Sequence, residues 1–526
     1  MTRWLSAALI GFLTAAHAAD QPAAPLVPRS TRMSDGKGVT ISISPASATV
    51  KVPDATHANP GRQQFTATVT GTDEKAVLWE ICQGENCYMT GAWSQFGSIG
   101  LDGVFTAPVV LPNPATFQIK ATVISTRVVA ATATVTIDRN VQWRVSQGTS
   151  IDTPAPDWAA LQKPGEHQVY YHVLHDGQQE MCQPSTTSPE EGPCYREVIF
   201  HVGKGYKPGN GAVVFFHGAG GMIGNCKPWK EENDKHGWIT VCIQGVHHGA
   251  FGPPNKSRSW NSYWASRNGT PVLPEAIPDD SALGWALAKD LVDRLGVSPK
   301  RVHATGHSAG MTMVARMLTD NGPLFASIAQ AAGNMYSSDH RVCFGDREPC
   351  NPPSKFTQVY AFAPFGYGIP NINYPSSVLI MMGTADKATP LCGTHNNNPS
   401  GDEAFRMYAE MFHCRSHAPN DKSLCPYVPD QSPRCQESKF FPGVGRACAP
   451  GEQLYKHATD CDNGVAVSIY SLINGEHRWE PTDISDPANP IHNPQLRSDF
   501  PGAVPPKASG SQTAIVWDFF NRHPKP

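Results

Sequence analysis

Short alternating runs of apolar and polar residues dominate the first part of the chain. Between residues 39 and 137, runs rich in Val, Ile and Thr repeat with a period of two and are separated by clusters of Pro, Gly and Asn. A period of two puts successive side chains on opposite faces of a strand, so each run predicts a half-buried β-strand. Many short strands at this spacing predict a small antiparallel sandwich over 38–138, with Cys82 and Cys87 close enough to close a small loop.

From about residue 165 the pattern becomes that of an α/β domain. The continuous apolar run 212–216 is typical of a strand that is buried on both faces, and 301–305 is predicted to be another strand. Residues 279–295 instead carry apolar side chains at helical spacing. This succession of strand, helix and strand predicts a mostly parallel sheet with helices on both faces over 165–526.

The remaining segments lack such periodicity. Residues 1–18 combine Arg3, an apolar run and the small-residue motif Ala16-His17-Ala18, which predicts a cleaved secretory signal. A membrane anchor is the alternative, but the apolar run is shorter than the roughly 20 residues that a spanning helix needs. Segments 19–37 and 139–164 are predicted to be linkers.

Composition narrows the class of protein. The chain has 526 residues, with 42 Lys plus Arg against 45 Asp plus Glu, and this net charge of −3 argues against nucleic acid or an anionic membrane as a partner. The 14 Cys together with an export signal predict disulfides. We therefore expect a secreted protein with no membrane span, extracellular or, in a Gram-negative host, periplasmic. The sequence does not determine its oligomeric state.

The motif Gly306-His307-Ser308-Ala309-Gly310 lies between a predicted strand and a helical stretch at 311–318. A nucleophile on a sharp strand-to-helix turn needs small residues two before and two after it, because neighbouring elements pass close by. The helix N-terminus would also favour an anionic intermediate. A bare pentapeptide of this kind occurs by chance, so its placement carries the prediction that Ser308 is a nucleophile.

A serine hydrolase also needs an acid and a base, which follow the nucleophile in the chain order of α/β-hydrolases. Asp386 follows the apolar strand 377–382, and His477 follows the next one at 465–472. Asp386 could instead be a turn residue or a helix cap. The other downstream histidines considered follow no strong strand: His395, His413, His417 and His457.

Backbone donors for an oxyanion are predicted in a second Gly-rich loop, 216–221, which follows an early strand. The backbone N–H groups of Ala219 and Ala309 are the candidates. Alternatively, the 216–221 loop is an ordinary tight turn with no part in catalysis. A dinucleotide-binding loop is disfavoured because Gly-x-Gly-x-x-Gly is not matched.

From about residue 196 onward, the chain resembles the secreted polyhydroxybutyrate depolymerase family of α/β-hydrolases, which is related to feruloyl and acetyl-xylan esterases. The resemblance implies a Ser308, Asp386 and His477 triad and no cofactor. The chain departs from the family at Glu476, where the family usually has Gly. It also has a long insertion between the acid and the base. The resemblance is carried by the motifs His217-Gly218-Ala219-Gly220-Gly221, Ser259-Trp260-Asn261, Asp279-Asp280, 301–311, Gly383-Thr384-Ala385-Asp386 and Trp517-Asp518-Phe519-Phe520. The segment 38–138 similarly resembles bacterial immunoglobulin-like domains through its motifs 44–50, Val77-Leu78-Trp79-Glu80 and 103–108.

The insertion, 391–462, contains six Cys and little periodicity. A zinc site is disfavoured because no Cys-x-x-Cys pair occurs and the expected compartment is oxidising. We predict a disulfide-stapled loop beside the active site, whose pairing the sequence leaves open.

Aromatic residues in loops on the expected catalytic edge could line a substrate groove, or could simply pack the loops. The candidates are Trp260, Tyr263, Trp264 and Trp479.

These features together predict a secreted serine esterase that needs no cofactor and no metal. The predicted substrate is an extracellular polyester of the poly(3-hydroxybutyrate) type or its oligomers. Feruloyl or acetyl esters of xylan, oxidised polyvinyl alcohol and, less directly, peptides are alternatives within the fold. A non-catalytic surface-binding protein is the alternative from a different class, and the immunoglobulin-like domain fits either role, as a spacer or as a polymer-binding module.

Overall fold

The computed structural model describes twenty segments of the chain. The predicted signal peptide, most of the linker 19–37 and the aromatic candidates Tyr263 and Trp264 lie outside them. The described residues are 36–52, 61–88, 96–108, 111–112, 114–139, 141–175, 177–182, 192–247, 258–260, 278–333, 342–343, 357–358, 376–389, 391, 401–415, 435–437, 446–448, 455–472, 475–479 and 511–526.

The described part of 38–138 is built from β-strands, in accordance with its alternating pattern. Its strands are β1 (Thr40–Ser44), β2 (Ser47–Lys51), β3 (Arg62–Gln64), β4 (Thr66–Thr70), β5 (Val77–Gln83), β6 (Asn86–Tyr88), β7 (Ser98–Ile99), β8 (Val104–Thr106), β9 (Thr116–Val123) and β10 (Ala130–Asp138).

Three small sheets share one apolar core in this unit. Their strand orders are β2-β10-β9-β5-β6, β3-β8-β7 and β1-β4. The core includes Phe65, Trp79 and Phe105, so Trp79 has the packing role that its strand position predicts. A disulfide joins Cys82 to Cys87 across the β5–β6 hairpin. The expected purely antiparallel pairing is wrong at one point, because β2 runs parallel to β10.

The second unit contains the remaining described strands. They are β11 (Gln142–Ser146), β12 (Gly165–His175), β13 (Gln178–Gln179), β14 (Met181–Cys182), β15 (Gly192–Pro193), β16 (Arg196–Val202), β17 (Ala212–Phe216), β18 (Ile239–Ile243), β19 (Val246–His247), β20 (Arg258–Ser259), β21 (Val302–His307), β22 (Ser327–Ala331), β23 (Val342–Cys343), β24 (Thr357–Gln358), β25 (Ser377–Gly383), β26 (Cys435–Glu437), β27 (Arg446–Cys448), β28 (Tyr455–Ala458) and β29 (Val467–Leu472).

Helices alternate with these strands along the chain. The α-helices are α1 (Lys227–His236), α2 (Asp280–Asp293), α3 (Ala309–Asn321), α4 (Gly401–Met411) and α5 (Gln512–Arg522). Short 3₁₀ helices are found at Ala160–Gln162, Ile223–Cys226, Gly322–Leu324 and Asp462–Gly464.

One large sheet organises this unit, with the strand order β11-β12-β16-β18-β17-β21-β22-β25-β29-β28. The six consecutive strands from β18 to β29 in this order pair in parallel, and the flanking strands pair antiparallel. The α/β class predicted from the apolar runs is confirmed.

Alternate residues of each central strand pack on opposite faces of the sheet. On one face, Val214 and Ile380 belong to a core that includes residues of α2, α3 and α4. On the other face, Val213 and Leu379 pack with residues of α1 and α5. A strand that is buried on both faces favours apolar residues at successive positions, which accounts for the continuous apolar run of β17.

Two segments differ from their predicted role. The predicted linker 139–164 contains β11, which extends the large sheet, and Leu161 in its core. The insertion 391–462 also does more than form a stapled loop. It supplies α4, which packs in the same core, and the edge strand β28, and a disulfide joins Cys414 to Cys461. Neither element is predicted by the sequence pattern, because short edge elements carry little periodicity.

Arg139 lies between the two units. Its Nη1 donates to Ser281 Oγ at 3.0 Å and to Asn321 Oδ1, and its guanidinium lies 5.9 Å from the ring of Trp285. Trp285, on α2, packs against the apolar core of the N-terminal unit. These contacts join the N-terminal sheets to the helices of the second unit.

Among the described residues, no helix is both long and apolar enough to cross a membrane. The described residues form four disulfides: the two given above, Cys182–Cys194 and Cys226–Cys242. Their number is consistent with an oxidising environment.

Candidate active site

The turn between β21 and α3 places Ser308 in a strained conformation. Its φ of 54° and ψ of −119° lie where non-glycine residues are rare. The strand before it is buried between β17 and β22, and the helix after it begins at Ala309. Backbone strain of this kind persists only where surrounding structure imposes it, and it commonly marks a functional site.

The glycines of the motif are required by close backbone contacts. A Cβ atom on Gly306 would lie 2.2 Å from the carbonyl oxygen of Gly310. A Cβ atom on Gly310 would lie 2.0 Å from the carbonyl oxygen of Phe216, at the end of β17. Both neighbours are backbone atoms and cannot rotate away. The spacing of small residues around Ser308 thus has the physical cause that the sequence analysis assumed.

Ser308, His477 and Asp386 form a continuous hydrogen-bonded chain. The Nε2 atom of His477 lies 2.7 Å from Ser308 Oγ, and its Nδ1 lies 2.8 Å from Asp386 Oδ2. Because a carboxylate can only accept, Nδ1 carries the proton and Nε2 is the acceptor for the serine hydroxyl. The three residues predicted from separate strands therefore meet in the order that nucleophilic catalysis needs.

The loops that carry the acid and the base are joined through their backbones. Thr384 N donates to Leu472 O and Ala385 N donates to Gly475 O. A Cβ atom on Gly383 would lie 2.1 Å from Gly475 O, so the two chains pass in direct contact. This contact fixes the position of Asp386 relative to His477 even though many residues separate them in the chain.

The carboxylate of Asp386 is fully buried and well supplied with donors. Its Oδ1 accepts from the backbone N–H groups of Ala388 and Thr389, and its Oδ2 lies 2.9 Å from Thr389 Oγ1. These donors satisfy the oxygens of a carboxylate that has no access to water.

Thr389 is a residue that the sequence analysis missed. Its hydroxyl lies 2.9 Å from Asp386 Oδ2, 3.3 Å from His477 Nδ1 and 2.7 Å from the carbonyl oxygen of Ala332. It therefore contacts both the acid and the base and tethers them to the segment after β22. Its position three residues after a predicted catalytic Asp was the only signal in the sequence, since Ser and Thr often hydrogen-bond locally at such spacing.

The predicted oxyanion loop lies against the nucleophile. A Cβ atom on Gly218 would lie 3.3 Å from Ser308 Cβ and 2.9 Å from His307 Nδ1. The loop is held by bonds from Gly220 N to Arg258 O and from Gly221 N to Gly218 O. Ala309 is the first residue of α3, where backbone N–H groups lack partners within the helix.

His217 is a buried, neutral imidazole inside this loop. Its Nδ1 lies 2.7 Å from the carbonyl oxygen of Gly218, and its Nε2 accepts from Gly245 N at 2.9 Å. These partners require a proton on Nδ1 and none on Nε2. Burial lowers the pKa of His217, which keeps the ring in this neutral form.

His307 lies beside the base. Its ring centroid is 5.2 Å from that of His477. Burial and, second, the nearby His477 lower the pKa of His307 to about 4. His307 is therefore neutral near neutral pH and places no positive charge beside His477.

Two of the aromatic candidates, Trp260 and Trp479, lie among the described residues. Trp260 is fully buried against Phe216 and His217. Trp479 packs against Phe215 and Trp229 in the core on the α1 and α5 side, and its indole donates to Thr513 Oγ1. The expectation that Trp260 lines a substrate groove is corrected, because its indole is fully buried. Trp479 is half-buried, and its substrate-binding role stays a prediction. Trp264 lies outside the described residues.

Two of the competing histidines are engaged elsewhere. His413 pairs with Asp462 at 2.9 Å, and His457 lies 2.6 Å from Ser468 Oγ. His395 and His417 lie outside the described residues. No group of three or more potential metal ligands is found within the described segments.

Comparison with known proteins gives structural similarity only. No protein-family model matches the chain, and no curated protein matches it significantly. Similar solved structures include acetyl xylan esterase from Aspergillus awamori, with 14% identity, 54% of this chain and 89% of that chain covered, and a TM-score of 0.32. An S-formylglutathione hydrolase from Agrobacterium tumefaciens is similar at 16% identity, with 43% and 78% covered and a TM-score of 0.28. At these sequence identities and TM-scores, the similarity gives no information about the reaction of this chain.

Proposed function

We propose that this protein is a serine esterase of the α/β-hydrolase type. The observation that carries the proposal is the hydrogen-bonded chain from Ser308 through His477 to the buried Asp386. The order of these residues along the chain, and their positions after β21, β25 and β29, also fit that type.

In the proposed reaction, Ser308 Oγ attacks the ester carbonyl while His477 Nε2 accepts the hydroxyl proton. His477 then delivers this proton to the leaving alcohol, and an acyl-enzyme remains on Ser308. A water molecule, deprotonated by the same imidazole, releases the acid and restores the serine. Asp386 holds the Nδ1–H tautomer and stabilises the imidazolium that forms.

The backbone N–H groups of Ala219 and Ala309 are the proposed oxyanion donors. Gly218 O accepts from Gly221 N at 2.9 Å and lies 2.7 Å from His217 Nδ1. Since C=O and N–H point in opposite directions across a trans peptide, these bonds also fix the direction of the Ala219 N–H. A donor held in place before the reaction stabilises the developing charge without reorganisation.

The proposed substrate is an extracellular polyester of the poly(3-hydroxybutyrate) type or its oligomers, on the strength of the motif resemblance. Feruloyl and acetyl esters of xylan and oxidised polyvinyl alcohol are the other substrate classes within the proposal. The N-terminal unit is proposed to be an immunoglobulin-like sandwich that acts as a spacer or a polymer-binding module. Residues 1–18 are proposed to be a cleaved export signal. N-terminal sequencing of the secreted protein would test this part of the proposal.

The substrate is tested by measuring acid release from polyhydroxyalkanoate films, feruloylated xylan and acetylated xylan, with Ser308→Ala as the control. Release from polyester that depends on Ser308 supports the proposal. Activity on xylan esters without activity on polyester overturns the substrate class. Binding to these polymers without any ester cleavage would favour the non-catalytic surface protein instead.

A further inference from the structure

Trp260 occupies an unusual place for a fully buried indole, because its polar atom faces the backbone of the candidate oxyanion loop. Its Nε1 donates to the carbonyl oxygen of His217 at 2.6 Å. The centroid of its ring lies 4.8 Å from that of the His217 imidazole. It lies 5.1 Å from that of Phe216, and these two rings meet edge to face. One side chain thus contacts both residues that lead from β17 into the loop.

The acceptor of this hydrogen bond belongs to the first peptide of the loop. The carbonyl of His217 and the N–H of Gly218 share one planar unit, so a bond to the carbonyl fixes the orientation of the whole peptide. Gly310, two residues after Ser308, approaches the same region, since a Cβ atom there would lie 2.7 Å from His217 O. A change in the orientation of this peptide would therefore alter its contact with the turn that carries Ser308.

The next peptide, which joins Gly218 to Ala219, is held separately. Its carbonyl oxygen accepts from Gly221 N and lies 2.7 Å from His217 Nδ1. The short strand β20, which Trp260 directly follows, supplies the acceptor for Gly220 N through Arg258 O at 2.7 Å. The 258–260 segment therefore contacts the loop twice, through Arg258 O at Gly220 N and through the indole N–H of Trp260 at His217 O. Because the indole is fully buried, loss of this bond would leave the His217 carbonyl without a replacement from water.

We propose that Trp260 is a positioning residue of the esterase reaction, which holds the oxyanion loop over Ser308 through its hydrogen bond to the His217 carbonyl. The inference rests on the proposed function. Loss of one oxyanion donor lowers kcat by about 10²–10³ in serine hydrolases, and displacement of a loop that keeps its donors should cost less, about tenfold.

The test compares Trp260→Phe with Trp143→Phe. Trp143, on the edge strand β11, also donates its indole N–H, to Asp290 Oδ2 at 3.0 Å, and is distant in the fold from the loop. For each variant, kcat and KM for p-nitrophenyl butyrate are measured together with two inhibition constants. A trifluoromethyl ketone forms a tetrahedral adduct that needs the oxyanion site, whereas butyrate tests ground-state binding.

Trp260→Phe is expected to lower kcat about tenfold and to raise the inhibition constant of the ketone by the same factor, with KM and butyrate inhibition within twofold of wild type. Trp143→Phe is expected to keep all four values. Trp260→Tyr, which retains a ring but moves the donor, serves as a second variant should the Phe variant fail to fold.

An unchanged inhibition constant for the ketone in Trp260→Phe would overturn the inference. Equal weakening of the ketone and of butyrate would also overturn it, in favour of a direct contact with the acyl group. A matching loss in Trp143→Phe would overturn it in favour of general packing. If the wild type neither hydrolyses the ester nor binds the ketone, the proposed function itself fails and the inference falls with it.

Discussion

The Nε2 atom of His477 lies 2.7 Å from Ser308 Oγ, although 169 positions separate the two residues in the chain. The parallel sheet produces this contact, because β21 and β29 both end at the same edge. A nucleophile and a base on the carboxyl ends of parallel strands can approach each other whatever sequence connects them.

Asp386→Asn is expected to lower kcat for ester hydrolysis by about 10⁴ while the fold is kept. The amide can donate, so it no longer requires a proton on His477 Nδ1, and Nε2 can then be protonated and unable to accept from Ser308. Steady-state kinetics with p-nitrophenyl butyrate would measure the loss. A variant with wild-type kcat would show that Asp386 is not the acid partner.

Thr389→Val should lower kcat about tenfold, because removal of the hydroxyl takes one hydrogen bond from a buried carboxylate, worth about 1–2 kcal/mol. Thr389→Ser keeps the hydroxyl and is the matched control, with activity expected within a few-fold of wild type. Equal losses in both variants would point to packing of the methyl group instead.

Gly310→Ala should abolish activity or folding, since its Cβ would meet the carbonyl oxygen of Phe216 at 2.0 Å. Gly224→Ala is the control, because a Cβ there has no atom within 4 Å. Thermal unfolding and ester hydrolysis would be measured for both. An active, fully stable Gly310→Ala variant would contradict the described approach of β17 to α3.

Acid should destabilise the folded protein between about pH 6.5 and pH 4. Burial, followed by the charges of His523 and Arg522, lowers the pKa of His457 from its ordinary value of 6.5 to about 4 in the folded state. In that window the unfolded chain binds a proton that the folded chain does not, so stability falls as pH falls. Burial lowers the pKa of His303 in the same direction.

His457→Asn should therefore weaken the pH dependence of the melting temperature between pH 6.5 and pH 4. Thermal unfolding of wild type and variant at several pH values checks this. The same slope in both proteins would show that His457 does not contribute.

Removal of the Cys414–Cys461 disulfide, by Ala at both positions, should lower the free energy of unfolding of its domain by about 2–4 kcal/mol. In the chain-entropy account, this effect should exceed that of removing Cys82–Cys87 by about 2 kcal/mol, because the sequence separations are 47 and 5. Urea unfolding would measure both. A larger loss from the Cys82–Cys87 pair would contradict this account.

Much of the second unit could be predicted from its sequence because its central strands are buried on both faces. The apolar run at 377–382 identified β25 and placed Asp386 at a strand end, and the predicted strand at 301–305 did the same for Ser308. The edge strands β11 and β28 escaped prediction because an edge strand needs neither a long apolar run nor strict alternation. Their segments were assigned to a linker and to a loop.

Side-chain orientation was the part of the site that the sequence could not provide. Trp260 lies in a segment where an exposed aromatic was reasonable, yet its indole is buried and bonded to a carbonyl 43 positions earlier. Thr389 carries no motif of its own, and only the folded loop brings its hydroxyl to Asp386. Long-range hydrogen bonds leave no periodic signal in a sequence.

The most direct test of the account is the rate of p-nitrophenyl butyrate hydrolysis by wild type and by Ser308→Ala at equal concentration. The account predicts that the wild type turns over and that kcat of Ser308→Ala falls by about 10⁴–10⁶ with the melting temperature retained. Equal rates in the two proteins would contradict it.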